Sequence, residues 1–195
     1  MTTDLSFPNV DLVIKLKRRQ EIYNIDDLLC LLSLIRRYEL GGEYIYGRGF
    51  RLDTNVTCYD YDSDRPYTIL NLQTHTDVVW HSHPFGIQLM NAYPSLEDMI
   101  VSMNNISLIF IIITGRGVYI ISTIKEITER DVKDFYNSMD NNDIESTFVN
   151  YEFTEEIVES TGIFLSCIPL SLISLDQIDK NISFIKKLKV IQTMI

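Results

Sequence analysis

Asp77-Val78-Val79-Trp80-His81-Ser82-His83-Pro84, followed by Pro94-Ser95-Leu96-Glu97-Asp98, is the stretch from which the rest of the chain is read. Val78-Val79-Trp80 is apolar and β-branched, so it reads as a strand that carries His81 and His83 at its end. Side chains two apart on a strand share a face, which sets two imidazoles over one space with Cα atoms roughly 6–7 Å apart. Pro84 has no N–H to offer a neighbouring strand and ends the pairing. Ser95 then opens a helix running through Met103, with Ser95 as N-cap and Asp98 as the third helical residue. A strand end and a helix start can meet around one ion. Two neutral imidazoles and a carboxylate, with a place left for water, make a catalytic rather than a structural zinc set. Each piece alone has a plainer reading, a packed histidine or a helix cap. The chain has only three histidines, however, and two of them stand in His-x-His just ahead of the Ser-x-x-Asp.

His81-Ser82-His83-Pro84 and Pro94-Ser95-Leu96-Glu97-Asp98 resemble the signature of the JAMM/MPN metalloproteases, which is His-x-His-Pro, a loop, then Ser-x-x-Asp. Residues 84–94 make a loop longer than the family's usual one, an insertion that costs little thermodynamically, so 85–93 reads as a longer rim. The resemblance covers roughly residues 15–125. It implies a mixed β-sheet flanked by helices, an α/β (α+β) fold of the cytidine-deaminase-like kind. It also implies that His81, His83 and Asp98 hold Zn2+, and that an upstream glutamate followed by small residues acts as general base. Tyr38-Glu39-Leu40-Gly41-Gly42-Glu43 is similar to that Glu-x-Gly-Gly pattern. Glu39 fits best, because Gly42 follows three residues on. Glu43 is the rival, since a helix could end at Gly41 and the strand begin at Glu43. Strand alternation does not separate them, because 39 and 43 have the same parity. Either could instead be a solvated residue beside Arg36, Arg37 or Arg48.

The roles implied by the resemblance are those of amide hydrolysis. Zinc lowers the pKa of its water to about 7, and histidine with its ordinary pKa of about 6.5 is mostly neutral at cytosolic pH, as a ligand must be. The glutamate takes the water's proton and passes it to the leaving amine. Ser95, if its hydroxyl points into the site rather than capping the helix, could bond the oxyanion. The substrate implied is an isopeptide bond between ubiquitin, or a ubiquitin-like protein, and a lysine. Two other readings stay open. One is an MPN-like scaffold or interaction subunit that keeps the fold without turnover. The other is a different metal enzyme, such as a two-histidine, one-carboxylate iron oxygenase.

Around this stretch, Asn24-Ile25-Asp26-Asp27-Leu28-Leu29-Cys30-Leu31-Leu32-Ser33-Leu34-Ile35 reads as a helix capped by Asn24, with Leu28, Leu32 and Ile35 on one face and Cys30 in the core. Strands are expected at about 43–50 and 66–73, joined by an acidic, turn-rich segment at 60–66. Asp60, Asp62 and Asp64 have a calcium-loop spacing, but the glycine and distal glutamate of such a loop are missing. Ile106 to Ile113 is a continuous apolar run that reads as a buried central strand. Thr114-Gly115-Arg116-Gly117 turns it back into a hairpin partner at 118–122. Beyond that, helices are expected at 129–139, 155–160 and 175–194, and a loop at 140–143. Gly162 to Leu170 is apolar but short and broken by Pro169, too short for a membrane span.

Composition sets the outer bounds. With 195 residues and 46% apolar content, the chain can bury a proper core. We expect a JAMM/MPN-like catalytic domain over 1–130 and a C-terminal helical extension over 131–195 that packs back on it. Seventeen basic against 27 acidic residues give a net charge of −10, which argues against nonspecific nucleic-acid binding. A basic partner surface suits it better, and a protein partner or a homodimer stays open. Cys30, Cys58 and Cys167 are odd in number and widely spaced, which suits a reducing, cytoplasmic setting rather than a disulfide framework. Neither a signal-peptide pattern nor a run of 18 apolar residues is present, so no membrane association is expected.

Overall fold

The computed structural model describes residues 22–34, 39–52, 76–83, 93–140, 158 and 160–192. The expected strand at 66–73, the acidic segment at 60–66, Cys58, the loop residues 84–92, Arg36, Arg37 and residues 141–143 lie outside these. So does the expected helix at 155–160, apart from Val158 and Ser160.

The described elements are β1 (Ile22–Tyr23), α1 (Ile25–Leu34), β2 (Gly41–Ile45), β3 (Gly49–Leu52), β4 (Val78–Ser82), α2 (Leu96–Asn104), β5 (Ile109–Ile113), β6 (Gly117–Thr123), α3 (Glu129–Asp140), β7 (Ile163–Pro169) and α4 (Leu175–Gln192). The seven strands form one mixed sheet in the order β1-β3-β2-β4-β5-β6-β7. Only β4 and β5 run parallel, from Val78↔Ile109 to Ser82↔Ile113. A parallel pair needs a crossover, and α2 lies between these two strands in sequence. The fold is therefore α+β, built from a seven-stranded mixed sheet and four helices among the described residues.

Strand alternation sorts the core into two faces. Val78 and Trp80 of β4, with Ile109, Ile111 and Ile113 of β5, join Leu28 and Leu32 of α1 and Ile178, Ile182 and Ile185 of α4. Val79, Phe110, Ile112, Tyr119 and Ile121 join Met99 of α2 and Val132 and Phe135 of α3 on the other side. Because β5 is covered on both faces, every one of its positions is buried, which is why its sequence is unbroken rather than alternating.

Three expectations change. The stretch 43–50 is a hairpin rather than one strand, with Ile45 opposite Gly49 and the Arg48 N–H donating to the Ile45 carbonyl at 2.9 Å. Glycines permit it: Gly47 has φ 68°, and Gly49, at φ 121°, would set a Cβ 2.2 Å from the Tyr23 carbonyl oxygen, a position open only to a residue without one. Cys30 is exposed. It lies about 160° around the helix from the centre of the stripe formed by Ile25, Leu28, Leu31 and Leu32. Finally, residues 163–169, an apolar stretch within the expected C-terminal helical extension, are a sheet strand paired with β6 from Gly117↔Pro169 to Thr123↔Ile163. Pro169 is tolerated because it stands at the last position of a strand that, among the described residues, pairs with β6 alone.

Candidate metal centre

The parallel crossover fixes where the site lies. β4 ends at Ser82 and the His83 N–H donates to the Ile113 carbonyl at 2.9 Å, so the β5 pairing holds His83 one residue past the strand. In open α/β sheets, groups at the carboxyl ends of parallel strands and the start of the following helix face a common crevice. His81 and His83 project from the face that α2 covers, at its N-terminal end.

Asp98 is held by its own helix. Ser95 is the N-cap, at φ −81° and ψ 166°, and a capping box is complete. Asp98 N–H donates to Ser95 Oγ at 3.2 Å, while Ser95 N–H and Ser95 Oγ–H both donate to Asp98 Oδ2, at 2.6 and 2.8 Å. The carboxylate so fixed faces both imidazoles, with His81 Nε2 3.1 Å from Oδ1 and His83 Nε2 3.2 Å from Oδ2. The two rings are 5.3 Å apart, and all three side chains are largely buried. His83 Nδ1 is buried with no hydrogen-bond partner among the described residues.

Charge and burial oppose each other here. Burial works against the protonated form of His81, but the Asp98 charge and hydrogen bond, with Glu39 adding, outweigh it and raise its pKa above the ordinary 6.5. Burial likewise works against ionised Asp98, and His81 followed by His83 holds it well below the usual carboxylate range.

Ligand atoms of His81, His83 and Asp98 all lie within 4.8 Å of one another, so the group could hold a metal ion. A tetrahedral ion with bonds of about 2.0–2.2 Å places its ligand atoms about 3.3 Å apart. The observed separations, 3.1 Å from His81 Nε2 to Oδ1 and 3.2 Å from His83 Nε2 to Oδ2, are near that length, each measured to a different carboxylate oxygen. Two ring nitrogens and one carboxylate are also a donor set that leaves a coordination position over.

The two glutamates separate clearly. β2 pairs with β4 through Gly41↔His81, Gly42↔Trp80 and Glu43↔Val79. The ladder continues past the strand, since Ser82 N–H donates to the Leu40 carbonyl at 2.7 Å. Continuing the same register sets Glu39 across from His83, on the imidazoles' face. Its charge reaches His81. Glu43 shares the face but sits across from Val79, roughly 13 Å further down the strand than Glu39. Its carboxylate is paired with Arg51, its cross-strand neighbour on β3.

Ser95 caps the helix rather than pointing away from it, and its hydroxyl donates to Asp98 Oδ2. Donating to a substrate oxygen requires that hydroxyl to rotate off the carboxylate. One polar group went unread in the sequence: Ser82, the residue between the histidines, faces away from them and its Oγ accepts the Leu40 N–H at 3.0 Å. Its place in His-x-His shows only that it points to the opposite face.

No family model, no curated protein and no solved structure matches the chain. No helix among the described residues is long and apolar enough to cross a membrane.

Proposed function

We propose that the protein is a zinc-dependent isopeptidase of the JAMM type, hydrolysing the amide bond that joins ubiquitin or a ubiquitin-like protein to a lysine. The observation that supports this best is the convergence of His81 Nε2 and His83 Nε2 on the Asp98 carboxylate, and the charge of Glu39 acting on His81 agrees with it. His81, His83 and Asp98 are the residues that would hold the ion. Zinc bound there would supply Lewis acidity and a water whose pKa is lowered to about 7.

The chain's own residues account for the rest. The Glu39 carboxylate takes one proton from the attacking water as the carbon–oxygen bond forms, and delivers it to the amine nitrogen as the carbon–nitrogen bond breaks. The pairing of Glu43 with Arg51 favours Glu39 over it in that role. Ser95 holds Asp98 in the resting site and, rotated, offers a hydrogen bond to the developing oxyanion.

Purified protein should carry about one zinc per chain and cleave linked ubiquitin, or a ubiquitin-like conjugate, in a chelator-sensitive way. Glu39→Gln should lower kcat by about 10²–10⁴-fold with zinc retained, while Glu43→Gln keeps turnover in whatever fraction folds. Zinc bound without cleavage of any conjugate would favour a non-catalytic scaffold. Iron, with turnover that needs oxygen and a keto acid, would overturn the isopeptidase assignment.

A further inference from the structure

We infer that Ser82 is a positioning residue, whose hydroxyl sets the place of Glu39 by holding the entry of β2. The inference rests on the proposal that Glu39 is the general base, and adds to it a residue on the far side of the sheet.

Ser82 is fully buried and points away from the histidines, with Trp80 and Val78 on its face by strand alternation. Its backbone N–H donates to the Leu40 carbonyl at 2.7 Å. In a regular antiparallel pair the Leu40 N–H would return that bond to the Ser82 carbonyl. Instead it donates to Ser82 Oγ at 3.0 Å, across 42 residues of sequence. One residue of β4 therefore grips Leu40 at both its N–H and its C=O, the second grip coming from a side chain.

The consequence falls on Glu39. Leu40 is fully buried and Gly41 is the first residue of β2, so Glu39 is the residue at which the chain leaves the sheet. A residue leaving a sheet is held by the last pair behind it. Here that pair is Leu40 with Ser82. With both backbone groups of Leu40 tied, the direction of the Glu39 side chain across from His83 is set from behind. Without the hydroxyl, a buried N–H loses its partner, a loss that amides avoid by shifting or by opening to water. The Gly41-Gly42 pair that follows adds no side chain to resist such a shift. His81, on β4, and His83, just past its end and tied to Ile113 of β5, lie on the face opposite Ser82, so loosening Leu40 leaves the ligand set in place.

The test is a comparison of wild type with Ser82→Ala, and of Ser82→Thr with Ser82→Val. Thr and Val have nearly the same shape, and only Thr keeps a hydroxyl. Hydrogen exchange at the Leu40 amide should quicken at least about fivefold in Ser82→Ala and in Ser82→Val relative to Thr. On a ubiquitin conjugate, kcat should fall about 10- to 100-fold in the Ala and Val variants, with KM and zinc content unchanged. Ser82→Thr should recover most of kcat. A merely structural role would not give a loss confined to kcat and restored by a hydroxyl. Unchanged Leu40 exchange in both Ala and Val variants, or a kcat within about twofold of wild type, would overturn the inference. If wild type cleaves no conjugate, the isopeptidase proposal fails, and the exchange comparison alone then decides whether Ser82 holds Leu40. If Ser82→Ala does not fold, the Thr and Val pair carries the same measurement.

Discussion

At the scale of single residues, His81 and Asp98 each favour the other's charged form, so a metal ion that takes both as ligands competes with a proton on His81. His81, raised above 6.5 by Asp98 and Glu39 against its burial, has to become neutral before it can be a ligand. Metal binding should therefore release protons, and affinity should fall as pH drops through the raised His81 value. Isothermal titration in buffers of different ionisation heat measures that release, and a release that does not grow as pH falls would contradict it. The metal-free protein should show the converse in its stability. His81 contributes stability that is complete below its unfolded pKa of about 6.5 and is lost as pH rises through its higher folded value. Asp98, depressed when folded, contributes stability present above about pH 4 and lost on acidification. Chelated protein should thus be steadiest in the mildly acidic range, with a melting temperature that declines above it. Asp98→Asn should flatten that decline, so a slope unchanged in the variant would count against the pair. Glu39 could be preferred over Glu43 in the sequence only by its distance from Gly42. The strand register and the Arg51 partner, neither visible in one sequence, are what separate the two by place.

At the scale of elements, α2 does two jobs with one capping box. Ser95 satisfies the Asp98 N–H of the first turn and, in the same geometry, donates twice to Asp98 Oδ2. Folding of the helix start and shaping of the carboxylate are thus one event. Ser95→Ala should cost about 1 kcal/mol of stability, as an N-cap does, and weaken metal affinity about 10- to 100-fold by freeing Asp98 to swing. Competition with a coloured chelator would read the affinity, and Ser95→Thr should restore both. The cap was legible because Ser-x-x-Asp before an apolar run obeys a local rule. The hairpin at 41–52 was not, since a strand-like composition runs straight through Tyr46-Gly47-Arg48-Gly49. Only the close approach of Tyr23 to Gly49 shows why glycine stands there. Cys30 shows the limit of composition: an apolar helix still has a wet side, and which residue faces it depends on where the sheet lies.

At the scale of the whole molecule, the sheet carries the argument past the stretch where the sequence looked informative. The apolar run at 109–113 could be read as a central strand because burial on both faces removes alternation. The strand at 163–169 could not, because a strand at the edge of the described sheet, with one proline and a mixed burial pattern, has no such signal. Yet β7 pairs with β6 along its whole length, and α4 brings Ile178, Ile182, Ile185 and Leu188 into the same core as Trp80 and Ile111. Tyr44 in β2 also donates to Asp179 of α4 at 2.8 Å, tying the far end of the chain to the hairpin that leads from Glu39. A chain cut after residue 130 would lose α3 and expose β6 as an unpaired edge. It would also uncover the apolar face that carries Val78 and Trp80, directly behind the histidines. We therefore expect the fragment 1–130 to be unfolded or aggregated, even with zinc, whereas the intact chain unfolds in a single transition. In the full chain, Ile182→Ala, a buried position in α4, should cost about 2–5 kcal/mol and release the metal at the same denaturant concentration at which the sheet melts. Circular dichroism and metal release followed together in one titration test this. A fragment 1–130 that folds cooperatively and binds zinc as tightly as the intact chain would show that the site is built without β7 and α4.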